Sequence, residues 1–328
     1  MSLHRAPLLR ILTIALLLLA GCSQSELYDL AQNGVPLIYA TTDSDDGLTT
    51  LLIVASGNGY YRELSTTVPP SGDPLYFSAQ DPHNVFISIS ATGTIYHSDN
   101  IVNGVWQSYT LPSTVYGIAS RNGETFALTS NAADCVYRYN DDDNTWTSMG
   151  RVAPNSAPYK ISYSQSDDRI YILEGFMGGN IAIWDYDTMT QAIPTFSIGP
   201  GTLLDFLVVD GIFYTVKSTT LYENDDYVAY NGTDTLKSVA IAGPTAIFFG
   251  GVSGSNLGIY RVQDASINQV YAFSSTNGNI VMEALDEDTL AVGIFGSDAG
   301  DDGLYLYHIE ENRLQRLSSR PVFLLTVR

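Results

Sequence analysis

Two short runs of carboxylates are the residues of this sequence best placed to do chemistry. Asp43, Asp45 and Asp46 fall in one loop that also carries a glycine, and Asp298, Asp301 and Asp302 fall in another. Carboxylate oxygens so spaced suit a hard cation, and six acids brought together repel one another unless an ion such as calcium lies between them. A second reading of the same residues is a pair of solvated acidic turns, because Asp and Gly are what tight turns select. Other chemistries find less material. His4, His83, His97 and His308 have no Cys or second His at ligand spacing. No Gly-rich phosphate loop precedes a helix, and the many Ser and Asp residues lack a positioned His for a triad. Cys135 lies in a Val- and Tyr-rich run with no cationic or His neighbour to activate it, which predicts a buried small apolar residue.

The elements that must position these residues are short strands. Thr114–Ser120, Glu124–Ser130, Asp134–Asn140 and Asn144–Gly150 are rich in Val, Tyr, Phe, Ile and Trp. The gaps between them, Arg121-Asn122-Gly123, Asn131-Ala132-Ala133 and Asp141-Asp142-Asp143, have turn composition. The rest of the chain can be laid against this unit as imperfect copies about every 40 residues, the pattern of an all-β propeller with four-stranded, up-and-down blades. The first unit, Pro36–Thr41, Leu48–Ala55 and Gly59–Leu64, has only three strands, and Val322–Val327 at the far end is a strand without a unit. Pairing the two closes the ring and buries both loose edges. Seven blades result, with six as the alternative count.

The first residues tell a separate story. His4, Arg5 and Arg10 give a positive start, Ile11 to Leu19 is apolar but for Thr13, and Leu19-Ala20-Gly21-Cys22 follows. The run is too short to span a bilayer and has the layout of a secretory signal. Its end resembles the lipobox of bacterial lipoproteins. That resemblance implies removal of residues 1–21, acylation of Cys22, a lipidated tether over 22–34 (with a helical turn at Glu26–Leu30) and a propeller domain over 35–328. Ser23, standing where inner-membrane retention signals carry Asp, points to the outer membrane. Several acyl chains anchor firmly, since each buried methylene contributes about 0.8 kcal/mol.

The chain carries 15 basic against 35 acidic residues, a net charge of −20, and loses Arg5 and Arg10 with the signal, leaving −22. Such a field repels nucleic acid and anionic lipid and favours cations or basic protein patches. Within the repeats, Asn180–Thr188, with Trp184-Asp185, resembles the end of a WD40 third strand. Val136–Gly150 resembles a kelch repeat, through Tyr137, Tyr139 and Trp146, and also the Asp-box of sialidase-like propellers, through Asp141, Asp143 and Thr145-Trp146. The last likeness implies a glycan-active enzyme as one function, although the Arg-Ile-Pro signature of sialidases is absent. The other is a lipid-anchored envelope platform, non-enzymatic, that binds an envelope protein or a glycan. Its recognition face would be built from the loops joining second to third strands and those entering each first strand, with calcium as the one candidate cofactor. The 22 tyrosines, among them Tyr96, Tyr137, Tyr139, Tyr260, Tyr305 and Tyr307, are expected to pack between blades.

Overall fold

The computed structural model describes residues 26–328 apart from 44–49, 59, 65–73, 90–91, 122, 132–133, 152–156, 165, 177–179, 198–202, 218–219, 225, 231–234, 244–245, 254–255 and 264–265. The expected signal segment, Cys22, Asp45 and Asp46 lie outside the described residues. Seven antiparallel sheets of four strands make up a β-propeller. The innermost strands are Leu324–Val327 in blade 1 and, in blades 2 to 7, Pro74–Asp81, Val115–Arg121, Ala157–Ser164, Leu203–Val209, Thr235–Ala242 and Asn279–Ala284. Each touches the inner strand of the next blade, and the ring closes from blade 7 through blade 1 to blade 2.

Closure takes the expected form. Leu324–Val327 pairs with Leu37–Asp43, with Ile38 opposite Val327 and Thr41 opposite Leu324, and supplies the strand that the first unit lacks. Val322, fully buried, donates its N–H to the Ile294 carbonyl of blade 7, and Phe323 donates to Thr41 of blade 1. The last strand is therefore held from both sides of the seam.

Burial explains the composition of the strands. A blade is covered on both faces by its neighbours, so second strands such as Thr289–Phe295 are buried almost throughout and read as continuous apolar runs. Outer strands such as Thr145–Gly150 face solvent and are polar, which blunts the sheet edge. Tyr137, Tyr139, Tyr260, Tyr305 and Tyr307 are buried between blades as expected, with Tyr96 half-buried. Cys135 is buried too.

The repeat shows in its turns. Tyr139 donates to Asn144 at 2.8 Å in blade 3, and Tyr307 donates to Asn312 at 2.9 Å in blade 7. Both asparagines close a four-residue turn from third to outer strand in the left-handed region, at φ 55° and 47°, which Asn tolerates better than most residues. In the WD40-like stretch, the buried Asp185 caps the same turn by accepting the N–H groups of Asp187 and Thr188 at 2.9 and 3.2 Å.

The segment from Glu26 to Gly34 is not free chain. Residues 26–32 form a helix whose Leu27 is fully buried against Leu37, Tyr39 and Leu52 of blade 1 and Ile101 of blade 2. Tyr28 stacks on His83 at 4.4 Å and donates to Asn100 at 2.8 Å. A helix this short does not hold together alone in water, so docking is what makes it.

Candidate functional site

In blades 4 to 7 each inner strand has one charged residue inside an apolar run: Lys160, Asp205, Lys237 and Glu283. A β-bulge sits beside the first three, between Pro158 and Lys160, Leu203 and Asp205, and Leu236 and Ser238. A bulge re-aims the side chains that follow it, and Lys160, Asp205 and Glu283 line a central cavity of about 900 Å³. Lys237 reaches over to blade 7 instead and bonds the Gly278 carbonyl and Asn279.

The cavity has unlike walls. Leu207, Val209, Ile241 and Leu285 make its apolar side, and Ser78, Ser162 and Tyr163 part of its polar side. Its mouth lies where inner strands turn into second strands, beside Ser166, Asp210, Gly243, Asp286 and Glu287. Arg328 stretches across the polar wall. It donates to the carbonyls of Ala79 in blade 2 (2.8 Å) and Ser120 in blade 3 (3.3 Å), lies over the Tyr163 ring of blade 4, and faces Glu283 of blade 7 at 4.0 Å.

These charges are engaged in holding blades to one another. An inner strand has no strand beyond it, so its channel-side N–H groups need other acceptors. Asp205 of blade 5 accepts the N–H of Val239 in blade 6 at 3.0 Å and pairs with Lys160 of blade 4. Ser238 of blade 6 accepts the N–H of Met282 in blade 7 at 3.0 Å, and Glu283 of blade 7 accepts that of Val327 in blade 1 at 2.8 Å. Burial pushes the Glu283 carboxyl above its ordinary range, and nearby Asp205 adds to the rise; Arg328, Val327 and Thr326 oppose it. Of the arginines among the described residues only Arg328 lines the cavity, and no histidine does. His97 instead lies between blades 2 and 3, stacked on Phe86 at 4.4 Å, with Asn84 and the Tyr139 hydroxyl at 3.1 and 3.0 Å. Burial lowers its pKa to about 4.

The acidic loops can be followed on one side only. Asp43 ends the second strand of blade 1, and its partners Asp45 and Asp46 are outside the described residues. In blade 7, Asp301 accepts the backbone N–H and hydroxyl of Ser275, both at 2.7 Å. Asp298 accepts the N–H and hydroxyl of Thr276, which hold its carboxyl below the usual carboxylate range. Asp302 accepts the N–H of Ser297 at 2.7 Å. Asp298 and Asp301 bind the loop entering blade 7 to the loop between its second and third strands, and the Asp302 bond lies within the latter. Among the described residues no three His, Cys, Asp or Glu side chains come together as a metal-binding group. Most other loops of that face lie outside the described residues.

Sequence reasoning did not single out Lys160, Asp205, Glu283 or Arg328. The available signal was a lone charge inside an apolar inner strand, repeated in successive units.

No protein-family model matches the chain, and no curated protein matches it in sequence. Solved structures do match in shape. A catalytically inactive histidine-to-alanine variant of virginiamycin B lyase from Staphylococcus aureus, solved with quinupristin, is 16% identical with a TM-score of 0.54, over 79% of this chain and 92% of that one. The β-propeller domain of Swd1 from Myceliophteria thermophila is 10% identical with a TM-score of 0.55, over 79% and 94%. A chain of the mitotic checkpoint complex is 11% identical with a TM-score of 0.58, over 82% and 86%. At such identities the likeness is one of fold, and it extends to an enzyme and to a member of a protein complex alike.

Proposed function

We propose that this protein is a lipid-anchored, non-enzymatic binding platform of a bacterial cell envelope, held through Cys22 and presenting its propeller to an envelope protein or a glycan. One observation carries the non-enzymatic part. Asp205, Glu283 and Arg328, which line the central cavity, are joined to neighbouring blades by Asp205–Val239, Glu283–Val327 and Arg328–Ser120. Carboxylates engaged in this way are poorly placed as the free acid and base of glycan hydrolysis. A chain of similar fold within a protein complex supports the platform reading, and loops on a rigid scaffold are where function usually sits.

In-cell crosslinking of the full-length protein, capture in mild detergent and mass spectrometry test this reading. Enrichment of one or two envelope proteins, or retention on a defined glycan without turnover, is the expected result. Metabolic labelling with a palmitate analogue that is lost in Cys22→Ala tests the anchor. The second reading is a glycan-active enzyme or a lyase, favoured by the virginiamycin B lyase fold and the raised Glu283 carboxyl. Turnover of a glycan or of quinupristin that is lost in Glu283→Gln would establish it.

A further inference from the structure

The docked helix has a consequence for the whole molecule once the chain is attached to a membrane. Inner strands finish, and third strands turn into outer strands, on the same face of the ring, because strands alternate in direction within each blade. That face carries the cavity mouth, and the helix sits on it. Its contacts, His83 and Asn100, belong to the two turns of blade 2 that lie there, and Leu37 begins the strand of blade 1 that rises from it. Burying Leu27 contributes about 2 kcal/mol, and the Tyr28 stack and hydrogen bond fix the direction in which the chain arrives.

We propose that helix 26–32 is an orienting strut that turns the cavity-mouth face toward the bilayer and the opposite loop face away from it. This rests on acylation of Cys22. From Cys22 to Glu26 is four residues, a covalent reach of at most about 14 Å. The two faces stand about 25 Å apart, the length of an eight-residue inner strand. The attachment point is therefore tied to one face and cannot serve the other equally. Two consequences follow. The loops bound together by Asp298 and Asp301 lie on the face directed at a partner, and the cavity mouth opens onto the gap above the lipid. The acidic turns Asp141-Asp142-Asp143 and Asp286-Glu287-Asp288 line the membrane side. They resist flat contact with anionic headgroups over roughly a Debye length of 8 Å, which keeps that gap open.

Energy transfer to acceptor lipids tests the orientation. Full-length protein is purified from the membrane, its acylation is checked by mass, and it is placed in vesicles of phosphatidylethanolamine and phosphatidylglycerol carrying a headgroup acceptor. A single dye is attached at Val105→Cys or Asp142→Cys on the cavity-mouth face, or at Ala299→Cys on the other; the native Cys135 is buried. Transfer several-fold higher from the first two positions than from the third is expected. The difference should shrink in Tyr28→Ala, which removes the stack and the Asn100 bond but leaves Leu27 in the core, while the protein stays membrane-bound. Equal or reversed transfer on acylated, membrane-bound protein overturns the orientation alone, as does a Tyr28→Ala profile identical to the parent. A protein recovered without acyl chains overturns the anchor and the orientation together.

Discussion

Glu283, on the inner strand of blade 7, accepts the N–H of Val327, on the inner strand of blade 1, at 2.8 Å, and so joins the two sides of the ring's seam. Its carboxyl is pushed up by burial. A carboxyl whose folded pKa lies above its unfolded one holds more protons in the native state, so its contribution to stability falls as pH rises through that interval. Glu283→Gln removes the slope and keeps an oxygen for Val327. Its melting temperature should exceed that of wild type near neutral pH, with the gap closing toward about pH 4. Glu283→Ala leaves the N–H without its acceptor and should cost about 1–3 kcal/mol. Thermal unfolding across that range checks both, and a wild type that gains on Glu283→Gln as pH rises would refute the assignment.

His97 gives the opposite slope. Its pKa falls from 6.5 to about 4 in the folded protein, so the unfolded chain binds the extra proton first and stability drops as pH falls through that window. The full loss is on the order of 3 kcal/mol. His97→Gln should flatten the profile between those values. Denaturant unfolding at several pH values reads the difference, and identical slopes in the two proteins would refute it.

Much of this fold is legible in the sequence because blades bury both faces of their middle strands and leave turns polar, so strands and turns alternate visibly. The three-stranded first unit and the unpaired Val322–Val327 make closure legible as well. The cavity is less so. Lys160 in Tyr-Lys-Ile and Asp205 in Leu-Leu-Asp-Phe read like ordinary interruptions, and only bulges and a neighbouring blade show that they face one channel. Arg328 is the extreme case, since its contacts lie with Ala79, Ser120 and Glu283, far away in sequence. Helix 26–32 had a local signal in Leu27, Leu30 and Ala31, at the spacing of one helical face, but its partner surface spans two blades.

Met189 occupies, in blade 4, the left-handed turn position that Asn144 and Asn312 hold in blades 3 and 7, with φ 54°. Its side chain is 47% exposed and little held by packing. An unbranched side chain pays for this backbone region where Asn does not. Met189→Asn should therefore stabilise by about 0.5–1 kcal/mol, seen as a higher denaturant midpoint at unchanged m-value. A lower midpoint would show that Met189 packs more than its exposure indicates.

Gly293, on the second strand of blade 7, lets Val322 reach the seam. A Cβ at this position would stand 2.4 Å from Val322 Cγ1 and 2.9 Å from Val281 Cγ2. Gly293→Ala should cost about 1–3 kcal/mol by overpacking, and the double variant with Val322→Ala should recover part of it. Loss of the same size in Gly293→Ala whether or not Val322 is truncated would place the clash elsewhere.

The acidic loops of blades 1 and 7 invite a calcium test, and the hydrogen bonds in blade 7 give its expected outcome. Asp298 and Asp301 already receive two donors each from Thr276 and Ser275, which offset part of the repulsion between the carboxylates. Chelation should leave the melting temperature unchanged, whereas Asp301→Ala, which strips the N–H and hydroxyl of Ser275 of their acceptor, should cost about 1–2 kcal/mol. A melting temperature that falls with chelator and recovers with calcium but not magnesium would instead show that Asp43, Asp45 and Asp46 join the blade 7 carboxylates around an ion. Asp301→Ala would then act by lowering calcium affinity, an effect separable by titrating the metal into each protein.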